Sequence, residues 1–133
     1  MSARSLFIIK PHAVSSGKIS EILSIIVDNG YTIIKRKHLV GTIKQWEQHY
    51  LEHKDKPFYN SLVTDMADKL IYVYVLEKEN CISDLRELVG ITDPLSAKEG
   101  TLRQQFGETK RNNAVHASDS IESAERETKI WFD

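Results

Sequence analysis

The run LIYVYVL at 70–76 constrains this chain most. Every position is apolar or aromatic, and Val, Ile and Tyr favour extended backbone, so the run reads as a buried β-strand, the strongest in the chain. A second apolar run ends at Lys10 and Pro11 and predicts a buried strand over 5–10. Residues 18–29 carry Ile19, Ile22, Leu23, Ile25 and Ile26 at near-helical spacing, with Ser16 as candidate cap and Gly30 as the stop. Residues 31–40 alternate in part, Ile33 and Leu39 against Lys35 and Lys37, as an exposed strand does. Thr42 and Gln45 form a capping-box pattern that starts a helix over 43–52. Pro57 introduces a second short helix over 58–68 through Leu62, Val63 and Met66. After the 70–76 strand, Asn80 caps a helix that ends at Gly90. A short strand over 114–116 and a helix over 120–132 complete the series. Residues 11–17 read as loop, and 91–113 as a long loop without a period, the kind that is usually functional or disordered. With the extra helices set aside the order is β-α-β-β-α-β. That predicts an α/β protein of α+β type on a ferredoxin-like antiparallel sheet. At 133 residues it is read as one domain, 1–133.

Charge and cysteine usage remove several functions. Lys and Arg number 18 against 19 Asp and Glu, a net charge of −1, so no bulk electrostatic attraction to nucleic acid or a membrane surface is expected. Cys81 is the single cysteine, which leaves no disulfide framework or cysteine-rich zinc site and suits a reducing compartment. No apolar run approaches a membrane span, and residues 1–10 lack the signal-peptide pattern. The expectation is a soluble cytoplasmic protein.

The chemistry concentrates in RNNAVHASDS at 111–120. His116 ends a short strand and faces a helix start rich in Ser and Asp, a setting suited to anions. In the last helix Ile121, Ala124, Thr128 and Trp131 form the expected apolar stripe, with Glu127 at its border. Turned inward, that carboxylate can orient an imidazole. Read singly, His116 is a structural histidine at a strand end and Glu127 reaches water. Lys10, Arg86, Thr92 and Arg103 are each surface residues when read singly, but together they can converge on phosphates. No glycine-rich phosphate cradle is present. HYLEH at 49–53 matches the H-x-x-E-H zinc string, but two free positions and a short chain leave that reading weak.

These segments resemble nucleoside diphosphate kinase. The family's I-K-P-D-G-V appears as Ile9-Lys10-Pro11-His12-Ala13-Val14, and its H-Y and D-R-P-F-F as His49-Tyr50 and Asp55-Lys56-Pro57-Phe58-Tyr59. Arg86, Gly90, Thr92 and Pro94 match R-x-x-x-G-x-T-x-P, and Glu99-Gly100-Thr101-Leu102-Arg103 matches P-G-T-I-R. Residues 113–120 match N-x-x-H-G-S-D-S. The resemblance implies reversible transfer of the γ-phosphate of a nucleoside triphosphate, typically ATP, to a nucleoside diphosphate, ping-pong through a phosphohistidine. It implies His116 as nucleophile and Ser118 and Glu127 as its support. Lys10, Tyr50, Arg86, Thr92, Arg103 and Asn113 would hold phosphates and sugar, and Phe58 would stack on the base. Mg²⁺ would ride mainly on the nucleotide, with no metal ligands on the protein. The partners implied are nucleotides and further copies of the chain, in a tetramer or hexamer built from dimers.

The chain departs from the family at identifiable places. His12 and Ala13 stand for Asp-Gly, Ala117 for the glycine after the catalytic histidine, Gln104-Gln105 for Gly-Asp, and Asp68-Lys69-Leu70 for Ser-Gly-Pro. Ala117 is acceptable only at negative φ. Lys110 falls where the family places an apolar residue against the base, and is expected to alter base preference. The competing readings are a non-catalytic nucleotide-binding module on the same fold, and a ferredoxin-like RNA-binding domain. The second lacks the aromatic strand motif and a basic face.

Overall fold

The computed structural model describes residues 2–132. Strand β1 (Ser2–Ile9) lies antiparallel beside β3 (Leu70–Glu79), with Ile8 opposite Val73. Strand β2 (Thr32–Val40) pairs with the far side of β3, and the short β4 (Val115–Ala117) with the far side of β1, so the order is β2-β3-β1-β4. All three pairings are antiparallel. This is the ferredoxin-like arrangement that the order of elements predicts.

Both faces of the sheet are covered, which is why its two central strands read as nearly unbroken apolar runs. The pleat sends Phe7 and Ile9 to one face, against Ile22 and Ile26 of α2 (Ile19–Asp28) and Leu85 and Val89 of α5 (Cys81–Val89). Leu6 and Ile8 point to the other face. They meet Trp46 of α3 (Ile43–His49), Leu62, Val63 and Met66 of α4 (Tyr59–Met66), and Trp131 of α7 (Ile121–Phe132). Leu6, Phe7, Ile8 and Ile9 are fully buried, each stabilising the fold by about 1.5–3 kcal/mol as an upper bound.

Several local expectations change. Residues 11–17 are not all loop: Pro11 opens a five-residue helix, α1 (Pro11–Ser15), at a position where its missing N–H costs nothing. The long segment contains α6 (Leu102–Phe106), started by Thr101, whose Oγ1 accepts from the Gln104 amide. Neither Ser16 nor Asn80 caps with its side chain. Helix α2 starts after Lys18, and Asn80 sits in the left-handed region at φ +56°. The Thr42–Gln45 capping box does form. Its helix stops at His49, however, and a 3-10 turn (Leu51–His53) follows, so the HYLEH histidines do not share one helix face. On α7 the buried face is Ser123, Ala124, Glu127 and Trp131, while Ile121 is exposed and Thr128 half-buried. Glu127 lies at the centre of that face rather than at its border. Among the described residues, no helix is long and apolar enough to cross a membrane.

Candidate active site

The site forms where the third face residue of α7 meets the short edge strand. His116 on β4 is opposite Ile8 of β1, and its Nε2 lies 2.8 Å from Oε1 of Glu127. The same Oε1 accepts from Ser118 Oγ at 2.8 Å, and Ser118 Oγ in turn accepts from the amide of Leu6. Glu127 is buried among these donors, so its carboxylate cannot swing to solvent. Burial raises its pKa, opposed by His49, the Ser118 hydroxyl and Arg126. A carboxylate on Nε2 keeps the proton there and leaves the Nδ1 lone pair free. His116 itself is pushed well below the usual histidine range, first by burial, then by Lys10 and Arg103. The ring is neutral at pH 7, the state a nucleophile needs.

A tight turn presents this strand. The amide of Val115 donates to Asn113 O at 3.0 Å, and Ala114 between them, fully buried, has φ +78°. An alanine held there stores about 1–3 kcal/mol of strain. The turn brings Asn113 Oδ1 to 3.0 Å from Lys10 Nζ, while Asn113 Nδ2 donates to Thr92 O at 3.2 Å. Ala117, one residue past His116, is absent from the positive-φ residues, as its side chain requires.

Cations converge on the same space. Arg103 donates to Gly90 O at 3.1 Å and to Val115 O at 3.0 Å, tying the long segment to β4. Gly90 is obligatory there: at φ +91° a Cβ would lie 2.8 Å from Thr101. Arg86 pairs with Asp119 at 2.6 Å and reaches Ala117 O at 3.4 Å. Burial, then Arg103 and Arg111, lower the Lys10 pKa to about 7. Burial and the Arg86 charge lower Arg103 to about 10, leaving it a cation at neutral pH.

The structure gathers ten of the eleven expected site residues around one cavity of about 560 Å³: Lys10, Tyr50, Phe58, Arg86, Thr92, Arg103, Lys110, Asn113, His116 and Glu127. The eleventh, Ser118, sits behind Glu127. Polar atoms of His49, Tyr50, His53 and Arg103 are buried at this cavity without a protein partner, unlike most buried polar groups.

Motif resemblance assigns no site role to His49, Glu52, Arg111, Asp119 and Arg126, yet all five also line the cavity. His49 Nδ1 accepts from Trp131 Nε1 at 3.0 Å, and its ring centroid is 4.5 Å from that of His116. An indole N–H only donates, so His49 carries its single proton on Nε2 and stays neutral. Neither ring nitrogen is therefore free to bind a metal: the Nδ1 lone pair is held by the indole and Nε2 carries the proton. This bears on metal binding, because His49, His116 and Glu127 are the one group of three possible ligands among the described residues. Two imidazoles, one of them locked, do not make the oxygen-rich site that Mg²⁺ takes. Glu52 is bound to Arg126 and Ser123. Asp119, paired with Arg86, lies at the cavity and is 60% exposed.

Known proteins align with this geometry. The nucleoside diphosphate kinase family model matches residues 3–133. The chain is 45% identical over 133 residues to nucleoside diphosphate kinase of Streptomyces coelicolor, covering 99% of this chain and 97% of that one. It is 43% identical over 129 residues to that of Pasteurella multocida, covering 97% and 93%. Among solved structures, the Aquifex aeolicus nucleoside diphosphate kinase superposes with a TM-score of 0.96 at 35% identity, over 100% of this chain and 96% of that one. The Encephalitozoon cuniculi enzyme gives 0.95 at 31%, over 98% and 88%.

Proposed function

The chain belongs to the nucleoside diphosphate kinase family of phosphotransferases, and from that premise we propose a ping-pong transfer through phosphorylated Nδ1 of His116, with ATP as the usual donor. In the first half-reaction the Nδ1 lone pair attacks the γ-phosphorus in line. The bond from that phosphorus to the bridging oxygen breaks, and the electrons leave with the nucleoside diphosphate. In the second, a terminal oxygen of the acceptor diphosphate attacks the same phosphorus, and the N–P electron pair returns to the ring. One covalent intermediate thus lets both nucleotides use one cavity in turn.

The observation that carries this reading is the 2.8 Å contact of Nε2 with Glu127, beside a cavity lined by Lys10, Arg86 and Arg103. Glu127 steadies the positive charge that the ring gains as the N–P bond forms. The three cations and the unpartnered Tyr50 hydroxyl meet the phosphate oxygens. Thr92 and Asn113 position the rest of the nucleotide, and Phe58, with 42% of its surface exposed, offers its face to the base. Mg²⁺ carried on the nucleotide would supply further neutralisation of the phosphates, and Asp119, exposed at the rim, is the residue that would face it. Family membership also supports a cytoplasmic homo-oligomer, tetramer or hexamer, and the exposed outer strand β2 offers such an assembly an unpaired sheet edge.

Incubation with γ-labelled ATP tests the reading. The protein should take up acid-labile label, Lys10 and Arg103 variants should take it up slowly, and His116→Ala should take up none. Nucleotide binding without any labelled protein would favour the non-catalytic module instead.

A further inference from the structure

The mouth of the catalytic cavity is built differently from its floor. On the floor each cation is already engaged: Lys10 with Asn113, Arg86 with Asp119, and Arg103 with two carbonyls. Farther out, Arg111 is bound to Asp65 and Ser61, and Arg126 to Glu52. Lys110 lines the same cavity, yet among the described residues it has no hydrogen bond, ion pair or ring contact. Its chain neighbour Arg111 reaches Ser61 and Asp65 on α4, the helix that Phe58 opens, and Lys110 lines the same cavity as Phe58 and Leu62. Lys56, also in this cavity, lies over the Phe58 ring, 5.7 Å from its centroid.

An ammonium only donates, and at this position it is not spent on the protein. A base lying on Phe58 meets it edge-on. Guanine, uracil and thymine present a carbonyl oxygen on the edge where adenine and cytosine present an amino group, itself a donor. We propose that Lys110 is a specificity residue that makes this cavity favour nucleotides of keto bases (guanine, uracil, thymine) over those of adenine and cytosine. This rests on the reading of the cavity as a nucleotide site. Because both nucleotides of a ping-pong reaction occupy one cavity, the same preference governs donor and acceptor. A single charge-assisted hydrogen bond at an open position gives a factor of about 5 to 10.

The test measures kcat/KM for phosphoenzyme formation from GTP, UTP, ATP and CTP, and for discharge by the four diphosphates. Wild type, Lys110→Met and Lys110→Arg are compared, with circular dichroism confirming the fold of each. Wild type should favour the keto bases by about 5- to 10-fold in both half-reactions. Lys110→Met should bring the ratio to within about twofold of unity, and Lys110→Arg, which keeps the donor, should retain most of it. A labelled enzyme with one base profile in all three proteins would overturn this inference alone. Failure of all four triphosphates to label the protein would overturn it together with the proposed function.

Discussion

Glu127→Gln isolates what the buried carboxylate does for the histidine. The substitution keeps the shape and an oxygen able to accept from His116 Nε2 and Ser118 Oγ, each 2.8 Å from Oε1, and removes the charge. As the N–P bond forms, the imidazole becomes positive next to that oxygen. A unit charge pair about 4 Å apart at an effective dielectric of about 20 is worth about 4 kcal/mol. With about half the charge developed in the transition state, about 2 kcal/mol is lost, a slowing of about 30-fold. The difference between a charged and a neutral acceptor alone, about 1 kcal/mol, sets a floor of about 5-fold. Rapid-quench measurement of phosphoenzyme formation from γ-labelled ATP reads this directly. Nucleotide affinity should stay near wild type, since Glu127 is occupied by His116 and Ser118.

Stability should move the other way. The Glu127 pKa is raised above its ordinary 4.5 by burial, so the folded protein holds that proton more tightly than the unfolded chain does. Its ionisation therefore costs stability progressively as pH rises from the ordinary value through the raised one. Glutamine removes that cost, and the Tm at neutral pH should equal or exceed that of wild type. A rate within about threefold of wild type in a folded variant would refute the charge argument. A large fall in Tm would show that the carboxylate is structural.

Two further outcomes follow from named contacts. Lys10, lowered to about 7, is largely neutral in buffer about one unit above that value, and bound polyphosphate should restore its proton. Nucleotide binding there should take up protons, seen by calorimetry in buffers of different ionisation enthalpy, and uptake should vanish in Lys10→Met. Gly90→Ala should cost about 2–4 kcal/mol in urea unfolding, from the φ of +91° and the 2.8 Å approach to Thr101. It should also weaken nucleotide binding, because Gly90 O holds Arg103. An alanine variant as stable as wild type would show that the segment relaxes freely.

The sequence made the central strands legible because their residues are buried on both faces, and an apolar run needs no period to be recognised. The short helices were hidden for the opposite reason. Five residues of α1 or α6 span little more than one turn, too few for a periodic stripe. Even so, Thr101 and Gln104 repeat the T-x-x-Q spacing of Thr42 and Gln45, so a start signal for α6 was present. An apolar rule puts the α7 stripe through Ile121 and Thr128 because it cannot expect a buried carboxylate. Glu127 takes a core position only because His116 and Ser118, 11 and 9 residues away, offer it hydrogen bonds. The sequence shows His49 in a zinc string and beside Tyr50 in the H-Y motif, but not its role, since its partner Trp131 lies 82 residues away. Motif resemblance points to residues that the structure gathers around one cavity, while the contacts that join them across the fold cannot be read from one chain.

The account depends on which ring nitrogen accepts phosphorus. Phosphorylating ¹⁵N-histidine-labelled protein with ATP and recording ³¹P–¹⁵N couplings identifies that atom directly. The expected spectrum places phosphorus on Nδ1 of His116, with the Nε2 signal still that of a hydrogen-bonded N–H held by Glu127. Phosphorus on Nε2, on another residue, or transfer to an acceptor without any phosphorylated protein would contradict it.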